Sequence, residues 1–403
     1  MSAPINPQLS TTSHFDQWRC IVISLYMTLV GYGVLVGIPV ISTAWVNLLG
    51  FTEVEVGRVA GADLGGLSLG AFATSFLVAK VNRRWLVLVG ILLAVVANWL
   101  CITRVEYSEV LWLRLLAGFG SGIYTAVAVS SLGATSKPAR AYNAMLFAFA
   151  FSQALELHFL PLLSMPHIYL VFILLFISTL PFIRWIPSGT SHGEDATQTQ
   201  ELPSEKLSLN PEIPKYVPWL CLTAMVITYI NIGSYWTYIE LAALADQATP
   251  AWTGKVLVWS SFCSIVGCAF ATLLSNRFGL LRPLLVALFG MAIIVGLLAN
   301  GITDITLLVS VFSFNLLWIF IDVYQMSTVA NVDHAGKYAA MIPAAQGLGQ
   351  IIGPNLAASL LALNLGYSGV FAMCSGAALV ALTIYATMFM RLRKTLPALA
   401  YAP

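Results

Sequence analysis

The sequence predicts an all-α polytopic membrane protein whose twelve transmembrane helices form two six-helix bundles. Composition is the first reason. Of the 403 residues, 59% are hydrophobic and 9% charged, against roughly 45–50% and 25% in soluble domains, so most side chains must face lipid or other apolar helices. The second reason is a set of twelve segments that each supply the roughly 20 apolar residues needed to span a hydrocarbon core. The third is a duplication. Arg140-Ala-Tyr-Asn-Ala-Met145 returns as Gly336-Lys-Tyr-Ala-Ala-Met341, so that Tyr142, Ala144 and Met145 recur as Tyr338, Ala340 and Met341. The basic turn Lys80-Val-Asn-Arg-Arg84 is echoed at almost the same offset by Arg277-Phe-Gly-Leu-Leu-Arg282. Two matches at one offset imply homologous halves, parallel repeats around a central site.

In chain order, a polar N-terminal tail (1–18) precedes an apolar run long enough to span, which is expected to remain as an anchor rather than be cleaved. Segments at roughly 20–42, 53–79, 84–103, 109–134, 141–163 and 167–186 build an N-terminal bundle over 19–186. The second of these starts at Thr52-Glu-Val-Glu55, a capping box in which Thr52 and Glu55 satisfy each other's free backbone donors. Pro187 to Tyr216, rich in Ser, Thr, Glu and Pro, reads as a flexible linker over 187–216. Segments at roughly 217–244, 252–275, 282–301, 304–328, 338–363 and 367–390 build a C-terminal bundle over 217–391, followed by a tail, 392–403.

Lys and Arg gather on one side of this layout, at Arg19, Lys80, Arg83, Arg84, Lys137, Arg140, Arg184, the linker, Arg277, Arg282, Lys337 and Arg391 to Lys394. The other side keeps only Arg58, Arg104 and Lys255. The bias places both termini and the linker in the cytoplasm of a cell whose inner (plasma) membrane holds the protein. A net charge of +2 without a basic patch excludes a nucleic-acid partner. The six cysteines have no metal or redox spacing and read as small buried residues. No phosphate-binding Gly-x-x-x-x-Gly-Lys-Ser/Thr loop occurs, so neither ATP hydrolysis nor any cofactor or metal is expected.

Six plus six segments, a long middle loop, cytoplasmic termini, basic turns after the second and eighth segments, and Arg114-Leu-Leu-Ala-Gly118-Phe-Gly120-Ser-Gly122 in the fourth together resemble the major facilitator superfamily. The resemblance covers essentially the whole chain. In that family the turn after the second helix reads approximately Gly-x-x-x-Asp-Arg/Lys-x-Gly-Arg-Arg/Lys. Ser75 to Arg84 keeps the basic residues but has Ala79 at the acid, and Ser75 and Asn82 at the glycines. The glycine-rich run ending in Gly-Pro that family antiporters carry in the fifth helix is found instead in the eleventh segment, as Gly347-Leu-Gly349-Gln350-Ile-Ile-Gly353-Pro354. The resemblance implies gating by Lys80, Arg83, Arg84, Arg277, Gly349, Gly353 and Pro354. Glycines let helices approach closely and Pro354 permits a bend.

Each charge inside a span costs at least about 2.5–3.5 kcal/mol at the bilayer centre on insertion scales, so Asp63, Arg114, Glu156, Glu240 and Asp322 should face protein or water. At about 1.5 Å per residue, Asp63 and Glu156 both fall within reach of Arg114. Arg114 is expected to pair with one of them, either as a fixed salt bridge or as a proton-coupling cluster of Asp63, Arg114 and Glu156. His158 reads as a packing histidine or a relay beside Glu156. Tyr32, Asn231, Tyr235, Trp236, Glu240, Trp318 and Asp322 are the candidate substrate contacts, because polar aromatics beside few charges suit a small organic solute with an apolar body.

The functional expectation is a secondary transporter working by alternating access, a monomer whose partners are a small organic substrate, protons and the lipid bilayer. Proton-coupled export by antiport is the first reading and proton-coupled or facilitated uptake the alternative. A polytopic membrane enzyme is a remote third, since the outer loops are too short to hold a catalytic constellation; an enzyme is not expected.

Overall fold

The computed structural model describes residues 14–188, 214, 216–332, 338 and 341–392. Most of the linker and most of the second duplicated loop, including Ala340, therefore lie outside the described residues. Among the described residues, fourteen α-helices make twelve crossings. In the N-terminal half they are α1 (Trp18–Gly31) and α2 (Gly33–Leu49), α3 (Glu53–Leu77), α4 (Arg83–Thr103), α5 (Tyr107–Gly133), α6 (Pro138–Phe159) and α7 (Met165–Ile177). The C-terminal half has α8 (Tyr216–Ala245), α9 (Pro250–Ser260) and α10 (Cys263–Phe278), α11 (Leu281–Gly296), α12 (Asp304–Val332), α13 (Ile342–Ala362) and α14 (Gly366–Leu392). The end of the molecule where α8 begins is the linker end, and its opposite is the far end.

Two crossings are interrupted, and neither break is at a proline. The first crossing breaks at Tyr32 (φ −90°, ψ 3°) between Gly31 and Gly33. There the carbonyl of Gly31 is taken by the Ser121 hydroxyl of α5 at 2.6 Å. A side chain thus replaces the lost ladder bond, one of the ordinary causes of a helix break. The eighth crossing breaks at Ser261 and Phe262, where Ser260 and Ser261 donate back to Leu257 O and Ser264 to Ser261 O. Pro39 and Pro354 lie inside α2 and α13, which continue through them.

Ten of the crossings are long and apolar enough to span by composition. The other two, α3 and α13, carry Glu53, Glu55, Arg58 and Asp63, and Gln346, Gln350 and Asn355. They tolerate that polarity because they pack on each other between the halves. The predicted duplication is visible in the packing. In each half the second crossing packs on the fourth, the third on the fourth and sixth, and the first on the fourth and fifth.

The capping box forms as expected, with Thr52 N donating to Glu55 Oε2 at 2.9 Å and Glu55 N to Thr52 Oγ1 at 3.3 Å. All six cysteines are free, and Cys20, Cys101, Cys221 and Cys374 are buried. Trp18, Trp85 and Trp219 at the linker end, and Trp99 and Trp112 toward the far end, are exposed, as interfacial belts require.

Candidate functional site

Arg114 finds its partner inside the N-terminal half, and the partner is Asp63. Nε donates to Asp63 Oδ2 at 2.7 Å and Nη2 to the same oxygen, while Nη1 donates to Asn98 Oδ1 at 2.7 Å. Both charged side chains are 2% exposed, and the guanidinium lies 5.6 Å from the Tyr169 ring centre. The glycines after Arg114 make this reach achievable. A β-carbon at Gly118 or Gly122 would run into the carbonyls of Asp63 or Leu67, and one at Gly66 or Gly70 would strike Leu115 O or Phe119 O. The α3 and α5 backbones therefore touch, as small residues allow in membranes, and Arg114 binds α3, α4 and α5 together.

Glu156 does not belong to that cluster. It stands on α6 against the first turns of α2, where β-carbons built on Gly33 and Gly37 would lie 3.4 Å from Oε1 and 2.9 Å from Oε2. Oε1 accepts from Ser152 at 3.2 Å; Oε2 is buried with no hydrogen-bond partner among the described residues. His158 is exposed and packs on Phe159, so it is not a neighbour of this carboxyl.

The seventh-crossing candidates split by helical face. At 100° per residue, Asn231, Tyr235 and Tyr238 share one side of α8. At Tyr235 that side faces the interior of the C-terminal half, and at Tyr238 it also reaches Glu53 of α3 in the other half. Tyr235 stacks on Phe314 at 3.9 Å and bonds Ser310 at 2.9 Å, and Tyr238 packs on Tyr367 of α14. Asn231 and Tyr235 are fully buried; Tyr235 packs among residues of the C-terminal half, and the Asn231 carboxamide has no hydrogen-bond partner among the described residues. The opposite side of α8 carries Tyr229, Gly233, Trp236 and Glu240 and faces the seam between the halves. Trp236 Nε1 donates to Val36 O of α2 at 3.3 Å. Glu240, 7% exposed, faces Thr43 of α2 rather than solvent, and its Oε2 has no partner among the described residues.

Asp322 of α12 completes the seam. It accepts from the Tyr229 hydroxyl at 2.8 and 2.7 Å to its two oxygens. Tyr229 is the residue that sequence reasoning misses, although its spacing of seven and eleven from Trp236 and Glu240 signals a shared face. Trp318, one turn before Asp322, packs on Trp236 with ring centres 6.1 Å apart. From the N-terminal half, Tyr32 lies near Tyr229 and meets Phe149 of α6 edge-on at 5.4 Å. Gln153 of α6 reaches Asn315 of α12 at 3.4 Å. The seam thus brings together Tyr32, Phe149, Tyr229, Trp236, Trp318 and Asp322.

At the far end the halves are locked. Arg58 Nη1 donates to Asn355 O (3.2 Å) and Oδ1 (2.9 Å), and Nη2 to Ser359 Oγ at 3.0 Å. Tyr238 donates to Glu53 O at 2.8 Å. Gly57, Gly61 and Gly65, one per turn, let α3 approach Pro354, Asn355 and Ile351 of α13. Toward the linker end, α6 and α10 instead leave a cavity of about 430 Å³, lined largely by Leu146, Phe147, Ile265, Cys268 and Leu273, with Ile319 of α12. None of the predicted substrate contacts lines that cavity.

The predicted gating residues mostly act within one half. Gly349 and Gly353 admit α8, since β-carbons there would strike Tyr229 and Ile230 O, while Pro354 touches both Gly233 and Gly57. Arg83 bonds Ser131 at 3.1 Å, and Arg84 bonds Ile186 O and Arg184 O, all in the N-terminal half. Lys80 is exposed, and the side chain of Arg277 lies outside the described residues. Arg58, which sequence reasoning assigns only to a loop side, supplies the lock instead. Arg58→Ala removes hydrogen bonds from a charged donor, each worth about 1.5–3 kcal/mol, so the far end should open more often. A thiol placed at the buried Ser42, in a background without the native cysteines, should then react at least about tenfold faster with a polar maleimide.

No curated protein matches the chain in sequence. Among solved structures, the nucleoside transporter NupG superposes with a TM-score of 0.70 at 11% identity, covering 92% of this chain and 98% of that one. A D-xylose-proton symporter gives 0.68 at 17% identity, covering 92% and 97%. The human organic anion transporter MFSD10 (TETRAN) gives 0.61 at 15%, covering 91% and 97%. At these identities the likeness is one of fold. The sequence pattern of the Major Facilitator Superfamily matches residues 20–354, which with the twelve crossings in two packed halves means that the chain belongs to the major facilitator superfamily.

Proposed function

We propose that the protein is a secondary active transporter that moves a small organic solute by alternating access, coupled to protons. The observation that carries this reading is the seam. Asp322 stands with Tyr229 and Trp318 near Tyr32 of the other half, and Glu156 is buried on α6 against α2, in bundles that are locked at the far end and leave a cavity toward the linker end. Unpaired carboxyls within a membrane mark ion and substrate paths, and a solute site near the midplane between repeats is what rocking bundles require. The Lys and Arg bias supports an inner-membrane orientation with the linker cytoplasmic. A cysteine at Ser204 should react with impermeant reagents only from the cytoplasmic side; labelling of intact cells would reverse the orientation.

The test uses proteoliposomes loaded with a pH-sensitive dye and challenged with metabolites and drugs. At least one solute should move protons. Lumenal alkalinisation on solute entry assigns antiport, and hence export in the cell; acidification assigns symport and uptake. Solute entry with no pH change would rule out coupling.

A further inference from the structure

We infer that the cavity between α6 and α10 binds an anionic phospholipid of the linker-side leaflet, with one acyl chain inside it and the headgroup on Arg140. The cavity exists because the two crossings meet and then part. Phe151 of α6 meets Phe262, at the break of the eighth crossing, with ring centres 5.4 Å apart. Nearer the linker end, Leu146 and Phe147 stand apart from Ile265, Ala269 and Leu273 around about 430 Å³. The α10 wall runs from Ser264 to Leu273, roughly 13 Å of helix. No charged residue lines the cavity, and its hydroxyls are already engaged. Ser264 donates to Ser261 O at 2.6 Å and Thr272 to Cys268 O at 3.0 Å, each within its own crossing. Walls of this kind stay dry. Phe147 and Leu273, 54% and 68% exposed, open the space to the apolar chains around the protein, and in a bilayer those are acyl chains.

A second observation, the order of polar groups along α6, says which lipid. At about 100° per residue, Arg140 falls within roughly 20° of Phe147 on the helix surface and two turns nearer the linker end. Between them Asn143 lines the cavity with an exposed carboxamide that forms no hydrogen bond among the described residues. Apolar wall, amide and cation thus follow one another as chain, ester and phosphate do in a phospholipid. Arg140 is exposed and forms no ion pair among the described residues. The one described acid outside the spans at that end, Asp16, already accepts from Ser136 N at 2.7 Å. A cation in the first turn of α6, at the membrane surface, attracts anionic headgroups. A lipid without net charge gains less there, and a bare hydrocarbon leaves both Asn143 and Arg140 without a partner. None of the candidate solute contacts lines the cavity, so the lipid site stands independently of the transport reading.

Native mass spectrometry of the purified full-length protein, given equal amounts of phosphatidylglycerol and phosphatidylcholine with identical chains, counts the lipids retained. Phosphatidylglycerol should be retained about fivefold over phosphatidylcholine, the discrimination that one cation supplies at a membrane surface. Arg140→Ala should remove that preference and Arg140→Lys should keep it. Arg184→Ala, which takes the same charge from the same end of the molecule, should also keep it. Ala269→Trp fills the cavity and should remove the bound lipid. Equal retention of the two lipids by the wild type overturns the inference, as does an unchanged preference in Arg140→Ala. An equal loss in Arg184→Ala would mean diffuse surface charge rather than a site, and overturns it too. Lipid retained by Ala269→Trp with solute flux lost would reassign the cavity to the solute. If Ala269→Trp does not fold, Arg140→Ala, a change at an exposed residue, decides alone.

Discussion

Arg114→Ala should be the most destabilising single substitution of a charged residue in this protein. It leaves Asp63 buried, 2% exposed, without a base, and breaking a buried pair from one side costs about 3–5 kcal/mol. For a bundle of this size that is a fall in melting temperature on the order of 10 °C. Arg114→Lys should recover only part, because an ammonium cannot hold Asp63 and Asn98 through one planar fork. The informative variant is the double one. Adding Asp63→Asn to Arg114→Ala removes the orphaned charge and should raise the melting temperature again; adding Glu156→Gln should not, since Glu156 lies on α6 against α2. Rescue by Glu156→Gln instead, or wild-type stability in Arg114→Ala, would mean that the ion pair does not hold α3, α4 and α5 together. The double variants separate stability from coupling, which depth along the helices alone leaves merged.

That merging shows what is legible in the chain. The twelve crossings can be read from length and apolarity, α3 and α13 included, although composition alone marks only ten. Their polar residues are tolerated because the two helices face each other, a tertiary fact. The capping box is local and so is readable. Breaks at Tyr32 and Ser261 are not, although Gly31-Tyr32-Gly33 and Ser260-Ser261 are visible, because the first depends on Ser121 of another helix. Depth places Asp63 and Glu156 equally well for Arg114. What decides between them is which glycines let two backbones touch, and Gly118 against Asp63 O is a contact between segments 51 residues apart for the ion pair itself. In the same way, the 100° period sorts α8 into two faces, but only packing says which one meets the other half. Sequence alone therefore singles out Asn231 and Tyr235, and packing adds Tyr229, which meets Asp322.

Glu156→Gln should abolish proton-driven flux, by a factor on the order of 100, while solute exchange across the membrane continues. The carboxyl is held by Ser152 on its own helix, and a carboxamide of the same shape keeps that bond, so folding should survive. What is lost is the exchangeable charge. Its position makes that charge mechanically relevant: Oε2 rests on the backbone of Gly37, just past the break at Tyr32, on the helix whose Val36 carbonyl receives Trp236 from the other half. On the proposed coupling, gaining or losing a proton there would alter the contact between α6 and α2, and α2 would carry the change to α8 through Val36 and Trp236. Asp63→Asn offers the contrast, because its carboxylate is committed to Arg114 and its loss should appear first in the melting temperature. The measurement is solute accumulation under an imposed pH gradient, paired with counterflow at equal pH. Normal accumulation by Glu156→Gln would remove it from the proton path and leave Asp322 and Glu240 as the carboxyls to test. Loss of counterflow as well would show that Glu156 holds the solute rather than the proton.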